Sequence, residues 1–409
     1  MAGRRHASGS AVVALCLLLV SLVACGGRSA TDTAGAEVQR LLDRRAEAVL
    51  RHDEPAYAAT GTRASYANLR AVPFADWSYR LTRLHRSGDT ATADAELRYR
   101  VTGYDKAPVT VGRTLTLSTG ADGKWYVDSD RPAKQSAQQL WDQGAVSVVR
   151  GRRSLVLGVG QSGETLHGYA DLADRAVPAV SDAWGTDWSR HVVVLVPKSL
   201  EGMAGLLGSP AANYRGIAAV TMGEVSEAKG GSPRPEAGGG SGQAPADRII
   251  VNPDAYGMLG SPGRQVVLTH ETTHVATRAH TNPATPLWLS EGYADWVGYR
   301  GTGRTAAQAA PELQRAVSEG HVPAALPADR DFGFTTDAAR LAQAYEGGWM
   351  ACRLIADHFG EVRLGEFYRA VGTHDKRAGA VEDAMKKVLG TTPEKFTEQW
   401  REYLRAQLG

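Results

Sequence analysis

The chain has 409 residues, of which 43% are hydrophobic and 22% are charged, and its formal net charge is +2. This length accommodates two ordinary domains with hydrophobic cores, and the composition excludes an intrinsically disordered chain. The near balance of charges also excludes the strongly basic character of nucleic-acid-binding domains. We therefore expect a globular protein that has no nucleic-acid partner.

The first residues have the pattern of a secretory signal. Arg4 and Arg5 precede the apolar run 11–20, which is too short for a comfortable membrane span. The stretch closes with the sequence LVAC, ending at Cys25, and resembles the bacterial lipobox. This resemblance implies that residues 1–24 are a lipoprotein signal peptide and that Cys25 carries lipid, which would anchor the protein to the cell membrane outside the cytoplasm. An ordinary signal peptide with an incidental cysteine is the alternative.

The three cysteines do not predict an intramolecular disulfide. Cys16 lies in the predicted signal and Cys25 would carry lipid, so Cys352 has no partner. Cys352 lies in an apolar helical stretch, where the role of a small buried hydrophobic residue is more common than that of a nucleophile. Removal of residues 1–24 would also remove two arginines and lower the formal net charge from +2 to 0.

An N-terminal domain is predicted over residues 36–133, after a Gly-, Ser-, Thr- and Ala-rich tether over residues 25–35. Apolar residues recur at helical spacing from Val38 to Leu50, which predicts one amphipathic helix. Alternating apolar and polar residues then predict four antiparallel strands, at 78–84, 90–104, 110–118 and 124–128. The pattern is that of an α+β domain.

This domain is similar, in its pattern and in its closing sequence KWYVDSD, to the nuclear-transport-factor-2-like cone fold. Its sequence shows no cluster of His, Asp and Glu that suggests chemistry. Such domains can be enzymes or spacers, and we therefore favour a docking or spacing module between the membrane and a second domain, with an enzyme as the alternative.

The second domain is predicted over residues 140–409. Two short apolar runs predict a hairpin, a periodic helix follows at 166–184, and further strands are expected at 191–197, 216–222 and 248–252. Pro178 should kink or shorten that helix. The Gly-, Pro- and Ser-rich stretch 230–245 predicts a surface insertion, which is either neutral or a lid. From Pro311 onward the pattern is largely helical.

The residues that carry chemistry are concentrated in the sequences LTHETTH and PLWLSEGYADW. On a helix, His270 and His274 project from one face and can bind a single Zn²⁺. Catalytic zinc uses three protein ligands and one open position, and Glu291 on a second helix can supply the third ligand. Glu271 stands beside the histidines, where a general base would be needed.

These motifs resemble those of a known family. HETTH, followed after sixteen residues by the Glu of WLSEGYADW, resembles the gluzincin metallopeptidases. The stretch AYEGGWMACRLIADHFG resembles the YEKG stretch of their aminopeptidase-N and leukotriene-hydrolase branch. The resemblance covers about residues 145–409 and implies that the three candidate ligands bind Zn²⁺ and that Glu271 is the general base. Tyr345 matches the tyrosine whose hydroxyl donates to the oxyanion.

The resemblance also implies a fold. We expect a gluzincin-type domain with a mixed sheet and a mostly helical C-terminal part, following the N-terminal cone-like α+β domain. In such a fold the strand at 248–252 would lie near the sheet edge that lines the cleft, where an extended peptide can add as a further strand.

Two side-chain roles have structural alternatives. Asp295 follows Glu291 by one helical turn and is the candidate for orienting a ligand imidazole, but a cap or a surface salt bridge is the alternative. Tyr345 as a plain helix-packing residue is the alternative to the oxyanion donor.

The chain departs from the aminopeptidase pattern in three ways. The spacing between HETTH and Glu291 is shorter than in that branch, and Gly347 replaces the Lys of YEKG. No GxMEN segment precedes HETTH, and that segment helps to bind the free amino terminus of a substrate. The smaller peptidase-MA-like proteins are a closer resemblance, and the choice between endopeptidase and exopeptidase stays open.

Two hypotheses follow for function. The first is a lipid-anchored, extracytoplasmic zinc metallopeptidase that acts on a peptide or protein substrate. The second is a non-catalytic binding or assembly lipoprotein that retains the peptidase fold. The complete set of ligands and base favours the first, because a binding module needs no Glu271.

Overall fold

The computed structural model describes residues 30–223, 244–333 and 337–409. The predicted signal peptide, Cys25 and residues 230–243 of the predicted insertion lie outside the described residues. Within the described part of the chain, no helix is both long enough and apolar enough to cross a membrane.

The N-terminal domain is a four-stranded antiparallel sheet packed on one long helix. Its helices are α1 (Ala30–Leu50), α2 (Glu54–Ala58) and α3 (Ala64–Leu69). Its strands, in spatial order, are β1 (Phe74–Ser87), β2 (Thr90–Val101), β3 (Val109–Thr119) and β4 (Trp125–Pro132). All four predicted strands are present. The helix begins at Ala30, so the second half of the segment predicted as a tether is helical.

The second domain contains a mixed five-stranded sheet, as expected. Its strands are β5 (Val146–Arg150), β6 (Ser154–Val159), β7 (Val192–Val196), β8 (Ala219–Met222) and β9 (Arg248–Val251). The spatial order is β5-β6-β7-β9-β8, with β6, β7 and β9 parallel and with β5 and β8 antiparallel to their neighbours.

One expectation about this sheet is wrong. The strand at 248–252 was expected near the edge, as the strand to which an extended peptide adds, but β9 is the second strand from that edge and pairs with β7 and β8 on its two sides. Among the described strands, β8 lies at this edge of the sheet and pairs antiparallel with β9. A single sequence does not reveal this order, because the order is set by pairing between strands that lie far apart along the chain.

Helices complete the second domain. In its first half they are α4 (Gly163–Trp184), α5 (Leu200–Leu207), α6 (Pro253–Gly257), α7 (Ser261–Thr277) and α8 (Leu287–Tyr299). The C-terminal part contains α9 (Ala306–Ala309), α10 (Pro311–Ser318), α11 (Ala338–Phe359), α12 (Glu361–Val371), α13 (Ala380–Ala384) and α14 (Pro393–Leu408). Pro178 does not shorten α4, which continues through it to Trp184. Cys352 is fully buried in α11, as predicted.

The five-stranded sheet is covered on both faces by different parts of the chain. Alternate residues of β6 and β7, including Leu155, Leu157 and Leu195, pack in one hydrophobic cluster with N-terminal-domain residues such as Trp77. The intervening residues, including Val156, Val192 and Val194, pack with residues of α4 and α7 such as Leu166, Ala173 and Leu268. Because successive side chains of a strand point to opposite faces, the N-terminal domain closes one face of the sheet. The sequence pattern did not predict this shared core.

A buried ion pair joins the two domains beside β9. Asp105, in the loop between β2 and β3, accepts hydrogen bonds from Arg248 Nη2 at 2.9 and 2.8 Å and from the Ala246 amide at 2.9 Å. The Asp105 carboxylate also accepts from the amide of Val101 at 2.7 Å. The Asp105 and Arg248 side chains are 0% and 3% exposed, so the pair is fully withdrawn from water.

We predict that Asp105→Ala lowers the free energy of unfolding by about 3 to 5 kcal/mol. The reason is that Arg248 would stay buried and charged without the carboxylate that offsets the loss of its hydration. Urea unfolding followed by tryptophan fluorescence measures the change. Asp76→Ala is the matched control, because the Asp76–Arg100 pair is separated by 3.8 Å and is partly solvent-exposed. Equal effects of the two substitutions would contradict the prediction.

Candidate metal centre

Three donor atoms from two helices meet in the second domain. The Nε2 atoms of His270 and His274 on α7 lie 3.0 Å apart. Glu291 Oε2 on α8 lies 3.3 Å from His270 Nε2 and 3.4 Å from His274 Nε2. Zinc bound at about 2.0 to 2.1 Å by tetrahedral ligands requires its donor atoms to be about 3.3 Å apart. Both the spacing and the donor set of two imidazoles and one carboxylate therefore fit Zn²⁺.

The side chains of this set are partly exposed to solvent. The His270, His274 and Glu291 side chains are 14%, 20% and 17% exposed. Among the described residues they form the one group of His, Cys, Asp and Glu whose geometry suits a metal ion. Partial exposure leaves room for a water molecule or a substrate atom at a fourth position, which distinguishes a catalytic zinc site from a closed structural site.

Glycines on α8 allow the helices that carry the site to approach closely. A Cβ atom at Gly298 would lie 3.1 Å from the carbonyl oxygen of Val266 on α7, and one at Gly292 would lie 2.2 Å from the carbonyl oxygen of Gly348 on α11. A larger residue at Gly292 would therefore separate α8 from α11. The packing fixes Glu291, next to Gly292, with respect to both neighbouring helices.

Asp295 lies against His270, the first histidine of the candidate metal centre. Its Oδ1 is 2.8 Å from His270 Nδ1. A hydrogen bond from Nδ1–H to this carboxylate orients the ring and leaves Nε2 as the electron-pair donor that faces Glu291. The structure therefore places Asp295 where it can orient a ligand imidazole.

The carboxylates and the imidazoles alter each other's pKa. Burial lowers the pKa of His270, but the carboxylates of Asp295 and Glu291 outweigh burial and raise the pKa well above its usual value. Burial raises the pKa of Glu291, but the imidazoles of His274 and His270 lower it below its usual range. Both shifts have one origin, because the close approach of imidazoles and carboxylates favours the charged form of each.

Glu271 faces the edge strand of the sheet. Its side chain is buried, and its Oε2 accepts a hydrogen bond from the Thr221 hydroxyl on β8 at 2.6 Å. The same hydroxyl oxygen lies 3.0 Å from the backbone carbonyl oxygen of Glu271. The candidate base is thus held between α7 and β8.

Tyr345 lies on α11, close to the carboxylates of the site. Its ring packs edge-on against Phe332 with 5.1 Å between centroids. Burial raises the pKa of its hydroxyl well above the usual value, and the carboxylates of Glu291, Asp295 and Glu271 raise it further. The phenol therefore stays protonated and can act as a donor. The ring has a packing role as well, so the two alternatives from the sequence are compatible.

Sequence reasoning missed several residues around the site. Arg278, one turn after His274, donates from Nε to Asp247 Oδ2 at 3.0 Å. Burial raises the pKa of Asp247, although Arg278 opposes the shift. The helical spacing from His274 was a signal that could have identified Arg278. No local signal marks Thr221, because strand order alone brings it to Glu271.

No family model and no curated protein matches this chain. Among solved structures, it is similar to native yeast LTA4 hydrolase at 13% identity and a TM-score of 0.37, covering 72% of this chain and 44% of that one. It is similar to an M1 zinc metallopeptidase from Deinococcus radiodurans at 15% identity and a TM-score of 0.33, covering 82% of this chain and 61% of that one. The chain thus spans less than two thirds of either protein. Values this low leave function to be inferred from the chain's own residues.

We predict that the purified protein binds one Zn²⁺ and that His274→Ala weakens binding by at least about 100-fold, because only two of the three ligands remain. Metal analysis after dialysis and competition with a chromophoric chelator measure the change. His321→Ala is the control, because the His321 side chain is 78% exposed and lies outside the donor set. Unchanged zinc affinity in His274→Ala would rule out this site.

We further predict that zinc binding at pH 7 releases about one proton, because the pKa of His270 is raised in the metal-free site and zinc requires a neutral imidazole. The apparent affinity should therefore fall as the pH falls, and level off above the raised pKa. Calorimetry in buffers with different ionisation enthalpies measures the protons released. Asp295→Asn should reduce that number, because it removes the carboxylate that raises the pKa. A binding enthalpy independent of the buffer would contradict the prediction.

Proposed function

We propose that this chain is a zinc-dependent peptidase that hydrolyses peptide bonds, with Glu271 as the general base. The observation that supports the proposal is the triangle formed by His270 Nε2, His274 Nε2 and Glu291 Oε2, with sides of 3.0, 3.3 and 3.4 Å. A site for binding alone would need only this triangle. The buried Glu271 beside it adds a group suited to moving a proton.

The chain's own residues provide the remaining steps of hydrolysis. When bound, Zn²⁺ would polarise a substrate carbonyl and acidify a water molecule. Glu271 takes the proton of the attacking water and delivers it to the leaving amine. Tyr345 donates a hydrogen bond to the oxyanion that develops on the substrate, and as a neutral phenol it adds no charge to the ground state. Asp295 keeps His270 oriented.

The position of β8 at the edge of the sheet, in the part of the chain that the structure describes, supports a peptide as the substrate. The backbone N–H of Asn252 donates to the carbonyl oxygen of Ala218 at 2.9 Å, which makes these two residues a hydrogen-bonded antiparallel pair. Because such pairs alternate along the ladder, Val220 and Met222 also bond to β9, whereas Ala219 and Thr221 direct their backbone groups away from it. An extended peptide can hydrogen-bond to these backbone groups beside the metal site.

We propose that the peptidase acts outside the cytoplasm, attached to the membrane through a lipid on Cys25. The support is the arrangement of Arg4 and Arg5, the apolar run 11–20 and the closing LVAC sequence. A peptide or protein outside the membrane is then the substrate class.

We predict that Glu271→Gln retains zinc but lowers peptide hydrolysis by about 10²- to 10⁴-fold, because the amide keeps the shape of the side chain and cannot accept the proton of water. A peptide-library digest, with and without chelator, measures cleavage. Its fragment ends also report endo- or exo-cleavage. Glu361→Gln is the control, because the Glu361 side chain is 50% exposed and pairs with Arg300.

Two outcomes would contradict this proposal. Full activity of Glu271→Gln would exclude the proposed base. A zinc-loaded wild-type protein that cleaves no peptide would favour the non-catalytic binding or assembly lipoprotein.

A further inference from the structure

We propose that Thr221 is the positioning residue of the general base: its hydroxyl holds Glu271 while its backbone faces the substrate strand. This inference rests on the proposed peptidase function. Three observations carry it, namely the direction of the Thr221 side chain, the hydrogen bonds of Glu271 and the register of β8.

The direction of the Thr221 side chain follows from strand alternation. Val220 and Met222 pack against the cluster shared with the N-terminal domain. Ala219 packs in the cluster that contains Leu268 of α7. Thr221 lies two residues after Ala219 and therefore on the same face of the strand, so its side chain points toward α7. Its hydroxyl reaches Glu271, one residue after His270 in the chain.

The hydroxyl of Thr221 is the donor that satisfies the buried base. A buried carboxylate requires hydrogen-bond donors, and a short bond to an ionised acceptor is among the stronger ones. Among the described residues, the Thr221 hydroxyl is the one group that donates a hydrogen bond to the Glu271 carboxylate. It engages Oε2, which leaves Oε1 to face the attacking water. The hydroxyl thus selects one orientation of the carboxylate.

A second acceptor lies within reach of the same hydroxyl. The carbonyl oxygen of Glu271 is 3.0 Å from Thr221 Oγ1, compared with 2.6 Å for Oε2. A hydroxyl has one proton and can rotate between acceptors. Both acceptors belong to Glu271, so the Thr221 hydroxyl stays against this residue whichever oxygen takes its proton.

The register of β8 gives Thr221 its connection to the substrate. The backbone N–H and C=O of Thr221 point away from β9, so they can bond to an added peptide strand. The Thr221 side chain contacts Glu271 on α7. The residue that fixes the base is thus also one that fixes the peptide backbone. Because Thr221 would contact both the peptide backbone and Glu271, the distance between the scissile bond and Glu271 depends on the position of this one residue.

The test compares Thr221→Val, which keeps the branched shape but removes the hydroxyl, with Thr221→Ser, which keeps the hydroxyl. The Thr221→Val change should lower kcat on a cleaved library peptide by about 10- to 100-fold, with KM and zinc content unchanged. The Thr221→Ser change should stay within about threefold of wild type. Thr272→Val is the control, because the Thr272 hydroxyl bonds to the carbonyl oxygen of Leu268 at 2.7 Å and not to Glu271.

Several outcomes would overturn the proposal. One is a kcat of Thr221→Val equal to that of wild type. Another is an equal loss in the valine and serine variants, which would assign the effect to packing of the methyl group. Loss of zinc from Thr221→Val would indicate a role in holding the metal site.

A structural measurement separates this inference from the proposed function. Crystal structures of zinc-loaded wild type and Thr221→Val should show the Glu271 carboxylate rotated away from its wild-type position in the variant. If wild type cleaves no peptide, the proposed function fails and this comparison still tests the positioning role. An unmoved Glu271 carboxylate would overturn the inference even in an active enzyme.

Discussion

The site depends on one geometric constraint, the spacing of about 3.3 Å between donor atoms that a tetrahedral zinc ion requires. One helix can supply two of these donors at a separation of four residues, as α7 does with His270 and His274. The third must come from another helix that approaches closely. The absence of a side chain at Gly298 permits α8 to approach α7, and Gly292 permits it to pack on α11. The helices that contribute Glu271, Glu291, Asp295 and Tyr345 are thereby assembled around one point.

Charge balance is the second requirement of this arrangement. Glu271, Glu291 and Asp295 bring three carboxylates into one region, and they raise the pKa of both His270 and Tyr345. A divalent cation offsets part of this negative charge and replaces the proton that His270 would otherwise hold. Burial of the phenol, together with the same carboxylates, raises the pKa of Tyr345 and keeps the hydroxyl protonated. The carboxylates of the candidate site thus also favour the donor form of the phenol.

The N-terminal domain is tied to this centre through the sheet. It buries one face of the five-stranded sheet, while α4 and α7 bury the other. Asp105 holds Ala246 and Arg248, and the intervening Asp247 pairs with Arg278, which directly follows α7. Three consecutive residues therefore connect the N-terminal domain to the helix that carries the two histidines. A domain interpreted from its sequence as a docking or spacing module is also part of the framework around the metal site.

The sequence by itself determined the local features: the strands and helices, the pairing of His270 with His274, and the roles suggested for Glu271, Glu291 and Asp295. These follow from periodicities of two and 3.6 residues, and from the fact that one helical turn brings residues four apart to the same face. The tertiary structure decided what depends on contacts between distant segments. It placed β8 rather than β9 at the sheet edge, packed the N-terminal domain against the sheet and brought Thr221 to Glu271. Strand order and interdomain packing are set by the burial of complementary surfaces, and no short stretch of sequence records which surface its partner will present.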